Sequence, residues 1–149
     1  MNNRSAQKHA MKGHAVVEVA LLAPFIFFLF AGALDIGFYV YAAVAVENAA
    51  RVAALHIASS TDVASDTNAA TYARTYVCNE LRVLPNVGST CPTSTVAVTV
   101  PAQPFSGSDG DSATQVSVTY TTVPLIPLPG LTAGPRGQWT FTRVVQMRL

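Results

Sequence analysis

Two carboxylates, Glu18 and Asp35, stand within a stretch of the chain that is otherwise almost wholly apolar. Asp35 is the only charged residue between Val19 and Val46, and it follows Glu18 by about 26 Å along a helix. A carboxylate in a membrane-spanning helix is costly near the bilayer centre, less so near an interface, and usually has a partner. Glu18 therefore points to ion pairing during assembly. Asp35 is expected at the far headgroup level, and pairing with a neighbouring subunit is its alternative role.

No other grouping of side chains predicts catalysis or a bound metal. His9, His14 and His56 are scattered, so neither a metal site nor a catalytic base is indicated. Asp109 and Asp111 in the segment SDGDS are too few for calcium, which takes about six or more oxygen ligands, and they predict a turn. The net charge of +1 gives no general attraction for nucleic acid. We therefore expect no enzyme, no cofactor, no metal and no nucleic-acid partner.

The elements that must position the carboxylates begin with a basic leader and a long apolar run. Only 11% of the 149 residues are charged, against roughly a quarter in ordinary soluble domains. Residues 1–13 hold three basic residues and no acid, and the run over residues 14–46 follows directly. A basic segment before a spanning helix stays in the cytoplasm. The sequence thus predicts a single-pass protein whose N-terminus is cytoplasmic and whose remainder lies outside.

One helix is expected to continue over residues 14–59, because no turn-forming dipeptide interrupts it. Its length would be about 69 Å, more than the roughly 30 Å hydrocarbon core of a bilayer. Its amphipathic continuation, residues 47–60, must then emerge from the membrane. A kink is expected at Pro24, where the ring removes one backbone hydrogen bond. Glu47 and Arg51 have the spacing of a helical ion pair.

The remainder, residues 61–149, predicts an extracytoplasmic α+β region. A second helix is expected over about residues 66–84, with Asp66 as its N-cap. Trp139 and Phe141 share strand parity, which places both on the buried face of a sheet. Alternating segments predict three antiparallel strands: Thr93–Val100, Ala113–Val123 and Gln138–Leu149. The fold class is therefore α+β, with a long kinked N-terminal transmembrane helix, a short second helix and a small antiparallel sheet.

The two cysteines, Cys78 and Cys91, lie far beyond the apolar run, on the side where disulfides persist. A disulfide between them would close a small loop and stabilise the fold by about 3 kcal/mol. Their spacing does not match a zinc site. A disulfide is the preferred prediction, and two free buried thiols are the alternative.

Two routine explanations of the apolar run remain open. In the first it is a signal peptide, cut after Ala33 in the segment Ala31-Gly32-Ala33, which would release a secreted enzyme. The run continues past that site, and Glu18 interrupts the passage from basic leader to apolar core. In the second it is a plain membrane anchor, which explains its length but not the retained Glu18.

The leader and helix start resemble those of type IV prepilins, with a polar basic leader, then Gly13, then Glu18 as the fifth residue of an apolar helix. The resemblance implies that prepilin peptidase cleaves between Gly13 and His14, and it raises the question of N-methylation of His14. Cleavage creates an α-amino group that is positive at neutral pH. Glu18 of one subunit can then neutralise the amine of a neighbour, and such a pair favours docking at the correct axial register.

The pattern looks like that of the TadE-like minor pseudopilins of tight-adherence (Tad/Flp) pilus systems, without separating them from TadF- or TadG-like members. The matching features are Val17-Glu18, Pro24, the Gly-x-x-acid-x-Gly segment that includes Asp35, and the Ala-Arg stretch before residue 52. The resemblance implies a pilin-like fold. The exterior region is larger than a major Flp pilin would carry, which favours a minor component.

This resemblance implies a bacterial inner-membrane subunit that joins, primes or caps a pilus through its apolar helix. Its partners would be prepilin peptidase, other pilin or pseudopilin subunits, the inner-membrane assembly platform and membrane lipid. The competing hypothesis is a membrane-anchored periplasmic binding or adhesion module that never polymerises. Gly13 and Glu18 discriminate between the two, because an anchor should tolerate the loss of Glu18.

Overall fold

The structure is a computed structural model that describes residues 4–123 and 138–149, with side chains from His14 onward. The chain divides into two compact units, residues 1–37 and 38–149. The described elements, in chain order, are α1 (Arg4–Ile57), α2 (Thr61–Ser65), α3 (Ala69–Leu81), β1 (Val96–Thr99), β2 (Phe105–Ser106), β3 (Ser112–Thr121) and β4 (Thr140–Arg148). The α+β, pilin-like class predicted from the sequence is confirmed.

Helix α1 spans 54 residues and remains helical through Pro24. The amphipathic continuation predicted after residue 47 has a buried face, and this face begins earlier, at Ala42. Glu47 forms an ion pair with Arg51 at 3.1 Å, which confirms the predicted pair. The helix ends at Ile57, two residues earlier than expected, because a turn follows and Ser60 caps the next helix through the backbone N–H of Val63.

The short helix α2 was not predicted, and it displaces the start of the second predicted helix. Asp66 does not cap α3; its carboxylate accepts hydrogen bonds from the backbone and side-chain nitrogens of Asn68, two residues on. This local turn ends α2, so α3 begins at Ala69 and ends at Leu81, inside the predicted range. The buried face of α3 carries Ala69, Ala73, Val77 and Leu81.

Strand β3 is the centre of a four-stranded antiparallel sheet. It pairs with β4 along one edge and with both β1 and the two-residue β2 along the other. β2 lies in a segment that the sequence predicted to be a loop. The core of residues 38–149 is formed by the buried face of α1, by α3 and by one face of β3, which contributes Val116, Val118 and Tyr120.

Polar contacts tie the disulfide-bonded segment to this core. Cys78 and Cys91 form a disulfide with a Cα–Cα distance of 5.7 Å, as predicted. Arg74 of α3 donates hydrogen bonds to the carbonyl oxygens of Cys91 and Val96, the latter at 3.0 Å. These charge-assisted bonds join α3 to the start of β1.

Candidate functional site on the N-terminal helix

The apolar part of α1 exposes its large side chains. Its large side chains from residue 16 to residue 36 are each more than half exposed in the single chain. Water does not stabilise such a surface, so lipid or other apolar helices must cover it. Among the described residues, α1 is the one helix long and apolar enough to cross a membrane. The exposed large residues of this stretch are Val16, Val17, Val19, Leu21, Leu22, Phe25, Ile26, Phe27, Phe28, Leu29, Phe30, Leu34 and Ile36.

The structure places the predicted cleavage junction and Glu18 one helical turn apart. The backbone at Gly13 and His14 is helical. The Nε2 atom of His14 lies 3.5 Å from a carboxylate oxygen of Glu18, and the two side chains are 81% and 65% exposed. This long contact leaves most of the carboxylate open. Glu18 is thus positioned to accept a second, external cation next to the new N-terminus that cleavage would create.

Gly32 and Gly37 of the apolar helix face open space in the part of the chain that the structure describes. A Cβ atom added at Gly32 or at Gly37 would have no heavy atom within 4 Å. A glycine costs roughly 1 kcal/mol relative to alanine inside a helix. Because no contact with the described residues requires a glycine at these positions, a close approach by another helix is a physical reason for them.

Asp35 differs from Glu18 in its surroundings. Its Oδ1 atom is shielded from solvent and has no hydrogen-bond partner in the described part of the chain. A shielded carboxylate oxygen without a donor is unfavourable, because it loses its hydration and gains nothing in return. Within the described residues Asp35 therefore lacks a donor for this oxygen, and the pairing role, which was the alternative for Asp35, stays a prediction.

The acidic residues between β2 and β3 form a clamped turn. Arg148 of β4 pairs with the carboxylates of both Asp109 and Asp111, the second at 3.1 Å. The guanidinium of Arg148 holds the pKa of Asp109 below its usual value. Among the described residues no group of three or more His, Cys, Asp or Glu side chains could hold a metal ion. The turn predicted from SDGDS is confirmed, with Arg148 as its cation.

The prediction that Trp139 and Phe141 both lie on a buried face is half wrong. Phe141 is half-buried against the core, but Trp139 is 60% exposed. Trp139 precedes the first residue of β4, where the sheet no longer covers it. Its ring instead lies beside Tyr39 of α1, with 6.0 Å between ring centroids.

The segment that carries Gly13, Glu18, Pro24 and Asp35 is continuous and helical, and it can be compared with known families as one element. Residues 13–55 match the family model described as TadE-like protein. The TadE-like resemblance predicted from the sequence is thereby confirmed over this segment. The match begins at Gly13 and ends two residues before the end of α1. No curated protein and no solved structure matches the chain.

The sequence offered no signal for one further contact of this TadE-like helix. Glu47 pairs with Arg51, as spacing predicted, but its second oxygen also lies 3.5 Å from Nε of Arg143 on β4. The two residues are almost a hundred positions apart, so only the pairing of β4 with β3 brings them together. Glu47 thus links the emerging part of α1 to the sheet.

Proposed function

We propose that this protein is a minor pilin, or pseudopilin, of a Tad/Flp-type IV pilus, processed after Gly13 and incorporated through its apolar helix. The single observation that carries the proposal is the TadE-like match, which starts at Gly13 and runs along a helix whose large apolar side chains over residues 16–36 are exposed. A helix exposed in this way suits a subunit that passes from lipid into a bundle of like helices.

The first step is cleavage by prepilin peptidase on the cytoplasmic side of the inner membrane, between Gly13 and His14. Hydrolysis of that peptide bond removes the basic leader and leaves a protonated α-amino group on His14. Removing three basic residues also removes the charges that hold the N-terminus in the cytoplasm. The helix can then leave the bilayer in the direction of its exterior end.

The second step is docking of the processed helix among other pilin subunits on the inner-membrane assembly platform. Glu18, 65% exposed, is available to the α-amino group of a neighbour. In a low-dielectric bundle an unpaired charge is strongly unfavourable, so only the register that pairs the two groups is stable. Gly32 and Gly37 allow close approach, and Asp35 offers its unpartnered oxygen to a donor on the neighbour.

The third element of the proposal is the place of the exterior region. With the N-terminus inside, residues after about 46 lie outside the inner membrane, and the Cys78–Cys91 disulfide is of the kind that persists there. This region would supply the contacts that prime, cap or support the pilus and its adhesion. We propose no catalytic activity for it.

The N-terminal residue of the mature protein, read by mass spectrometry from native membranes, tests the proposal. A start at His14 is the expected result. A start at Met1 would contradict processing and leave a membrane-anchored binding or adhesion module that does not polymerise. A start at Leu34 would instead establish cleavage by signal peptidase. A Gly13→Val variant provides the control, because it should retain its leader and accumulate in the membrane.

A further inference from the structure

Trp139 is the only tryptophan of the chain, and it is 60% exposed at the beginning of β4. An exposed tryptophan is informative when it belongs to a larger exposed apolar surface. The one neighbouring ring in the described residues is that of Tyr39 on α1, 6.0 Å away between centroids. Tyr41, two residues further along the helix, is also more than half exposed.

The depth of Tyr39 along the helix can be counted from the sequence. A spanning helix needs about 20 apolar residues. Counted from Val16, the first large apolar residue after the leader, such a span ends at Asp35, and Tyr39 follows one turn later. Tyr39 and Tyr41 therefore stand at the outer headgroup level, where tyrosine and tryptophan are enriched. The ring contact with Tyr39 brings Trp139 to the same level.

The charged residues mark the aqueous side of this level on both elements. On α1, Glu47 lies eight residues beyond Tyr39, about 12 Å along the axis. On β4, Arg143 lies four residues beyond Trp139, about 13 Å along the strand. A carboxylate oxygen of Glu47 lies 3.5 Å from Nε of Arg143. The separation between the aromatic residue and the charged residue is therefore nearly the same along the helix as along the strand. Two independent elements thus place one boundary between the Tyr39–Trp139 pair and the Glu47–Arg143 pair.

We propose that the start of β4, through Trp139, docks onto the lipid of the outer membrane–water interface while the subunit is anchored. This inference rests on the membrane anchorage in the proposed function. The indole ring suits the position because its apolar body enters the acyl boundary and its N–H can donate to headgroup oxygens. Lipid is the occupant favoured by continuity, since the exposed ring lies beside the helix face that leaves the bilayer. The contact holds the exterior region against the membrane surface before assembly.

The sole tryptophan is itself the probe. The full chain is reconstituted in vesicles of phosphatidylethanolamine and phosphatidylglycerol that carry a nitroxide either near the headgroup or near the methyl end of the acyl chain. We expect Trp139 emission to be quenched at least about twofold more by the shallow nitroxide than by the deep one, as for an interfacial ring. We also expect it to be protected from aqueous iodide.

Two matched variants calibrate the measurement, each combined with Trp139→Phe. Tyr72→Trp places the probe on α3 at a residue 41% exposed, where iodide should quench it and lipid nitroxides should not. Phe28→Trp places it within the apolar run, where the deep nitroxide should quench it most. If the deep nitroxide does not quench the probe at position 28 most, the helix does not span the bilayer, and both the anchorage and the docking are overturned.

If the probe at position 28 is deep but Trp139 responds to iodide as the probe at position 72 does, only the docking is wrong. If Trp139 is shielded from iodide and from both lipid nitroxides, protein covers it, and the lipid assignment is likewise overturned. Repeating the measurement at increasing lipid-to-protein ratio identifies that cover, because contact with a second copy weakens on dilution in the bilayer.

Discussion

The hydroxyl of Tyr120 donates a 2.6 Å hydrogen bond to the side-chain oxygen of Asn86. Tyr120 lies on the central strand with its side chain fully buried, and Asn86 lies in the loop between α3 and β1. The amide of Asn86 in turn donates a 2.8 Å bond to the carbonyl oxygen of Thr121. One side-chain amide therefore fastens the disulfide-bonded loop to the centre of the sheet through both of its polar atoms.

Replacing Tyr120 by phenylalanine should destabilise the exterior region by about 1–2 kcal/mol, because the oxygen of Asn86 loses its donor in a part-buried site. Urea unfolding of the detergent-solubilised chain, followed by near-ultraviolet circular dichroism, measures the change. Tyr72→Phe on exposed α3 is the matched control and should leave the unfolding free energy unchanged. Equal stability of the two variants would show that the Tyr120–Asn86 bond contributes nothing.

The same tyrosine predicts an alkaline loss of stability. Burial raises the pKa of Tyr120 from 10.0 to about 12. Between these values the unfolded chain releases a proton that the folded chain keeps, so the unfolding free energy falls as the pH rises. The stabilisation is complete below pH 10 and is lost towards pH 12, with a slope of up to about 1.4 kcal/mol per pH unit. Tyr120→Phe should lack this component of the slope, and an unchanged slope would contradict the assignment.

Replacing Glu18 by glutamine should abolish incorporation into pili while leaving processing and membrane insertion intact. The substitution keeps the shape of the side chain but removes the charge that would pair with a neighbour's α-amino group. Immunoblotting of sheared pilus and membrane fractions measures the distribution. Glu80→Gln, on the exposed surface of α3, is the control and should assemble normally. Normal assembly of the Glu18→Gln variant would favour the non-polymerising anchor.

Gly32 should tolerate larger residues in the single chain but not in the assembled bundle. A Cβ at this position meets nothing within 4 Å, so Gly32→Ala should stabilise the isolated helix slightly, by up to about 1 kcal/mol. Gly32→Leu should reduce incorporation more than Gly32→Ala, because the larger side chain separates neighbouring helices. The readout is again the amount of subunit in sheared pili. Ile36→Leu, a volume-conserving change on the exposed surface of the same helix, provides the control. Equal incorporation of all three variants would exclude a close approach at Gly32.

Removing the disulfide through the paired substitution Cys78→Ser and Cys91→Ser should cost about 3 kcal/mol of exterior stability. The crosslink closes a loop that contains part of α3 and the segment held by Arg74 and Asn86. Hydrogen exchange of β3 amides in the full chain measures the loss, since the central strand opens only in global unfolding. Unreduced but unfolded wild-type protein should show no reactive thiol, and labelling of two thiols would refute the bond itself.

The assembly helix was predictable from sequence because its signals are local. One segment contains all of these signals. They are a basic leader, an apolar run too long for the core of a small domain, and the positions of Gly13, Glu18 and Pro24. The amphipathic periodicity after Glu47 and the Glu47–Arg51 spacing are also local, and both are present in the structure. The alternating residues of β1, β3 and β4 were recognisable for the same reason, although their ends shifted by a few residues.

Local competition explains the elements that were misjudged. Asp66 has the side chain of an N-cap, but its oxygen accepts from Asn68 and closes a turn, so α2 ends where α3 was expected to begin. β2 is only two residues long and exists because β3 offers it an edge. Residue propensity predicts neither the turn at Asp66 nor the strand β2, since each depends on which hydrogen-bond partner lies near in space.

The sequence by itself determined the long apolar helix and the disulfide, because each depends on residue type and short spacing. Only the tertiary structure decided that Trp139 is exposed beside Tyr39 and that Arg143 reaches Glu47. Antiparallel pairing of β4 with β3 sets both contacts, and that pairing joins residues about twenty or more positions apart. The strand pairing itself is stabilised by burial in the assembled core, which no single segment of the chain contains.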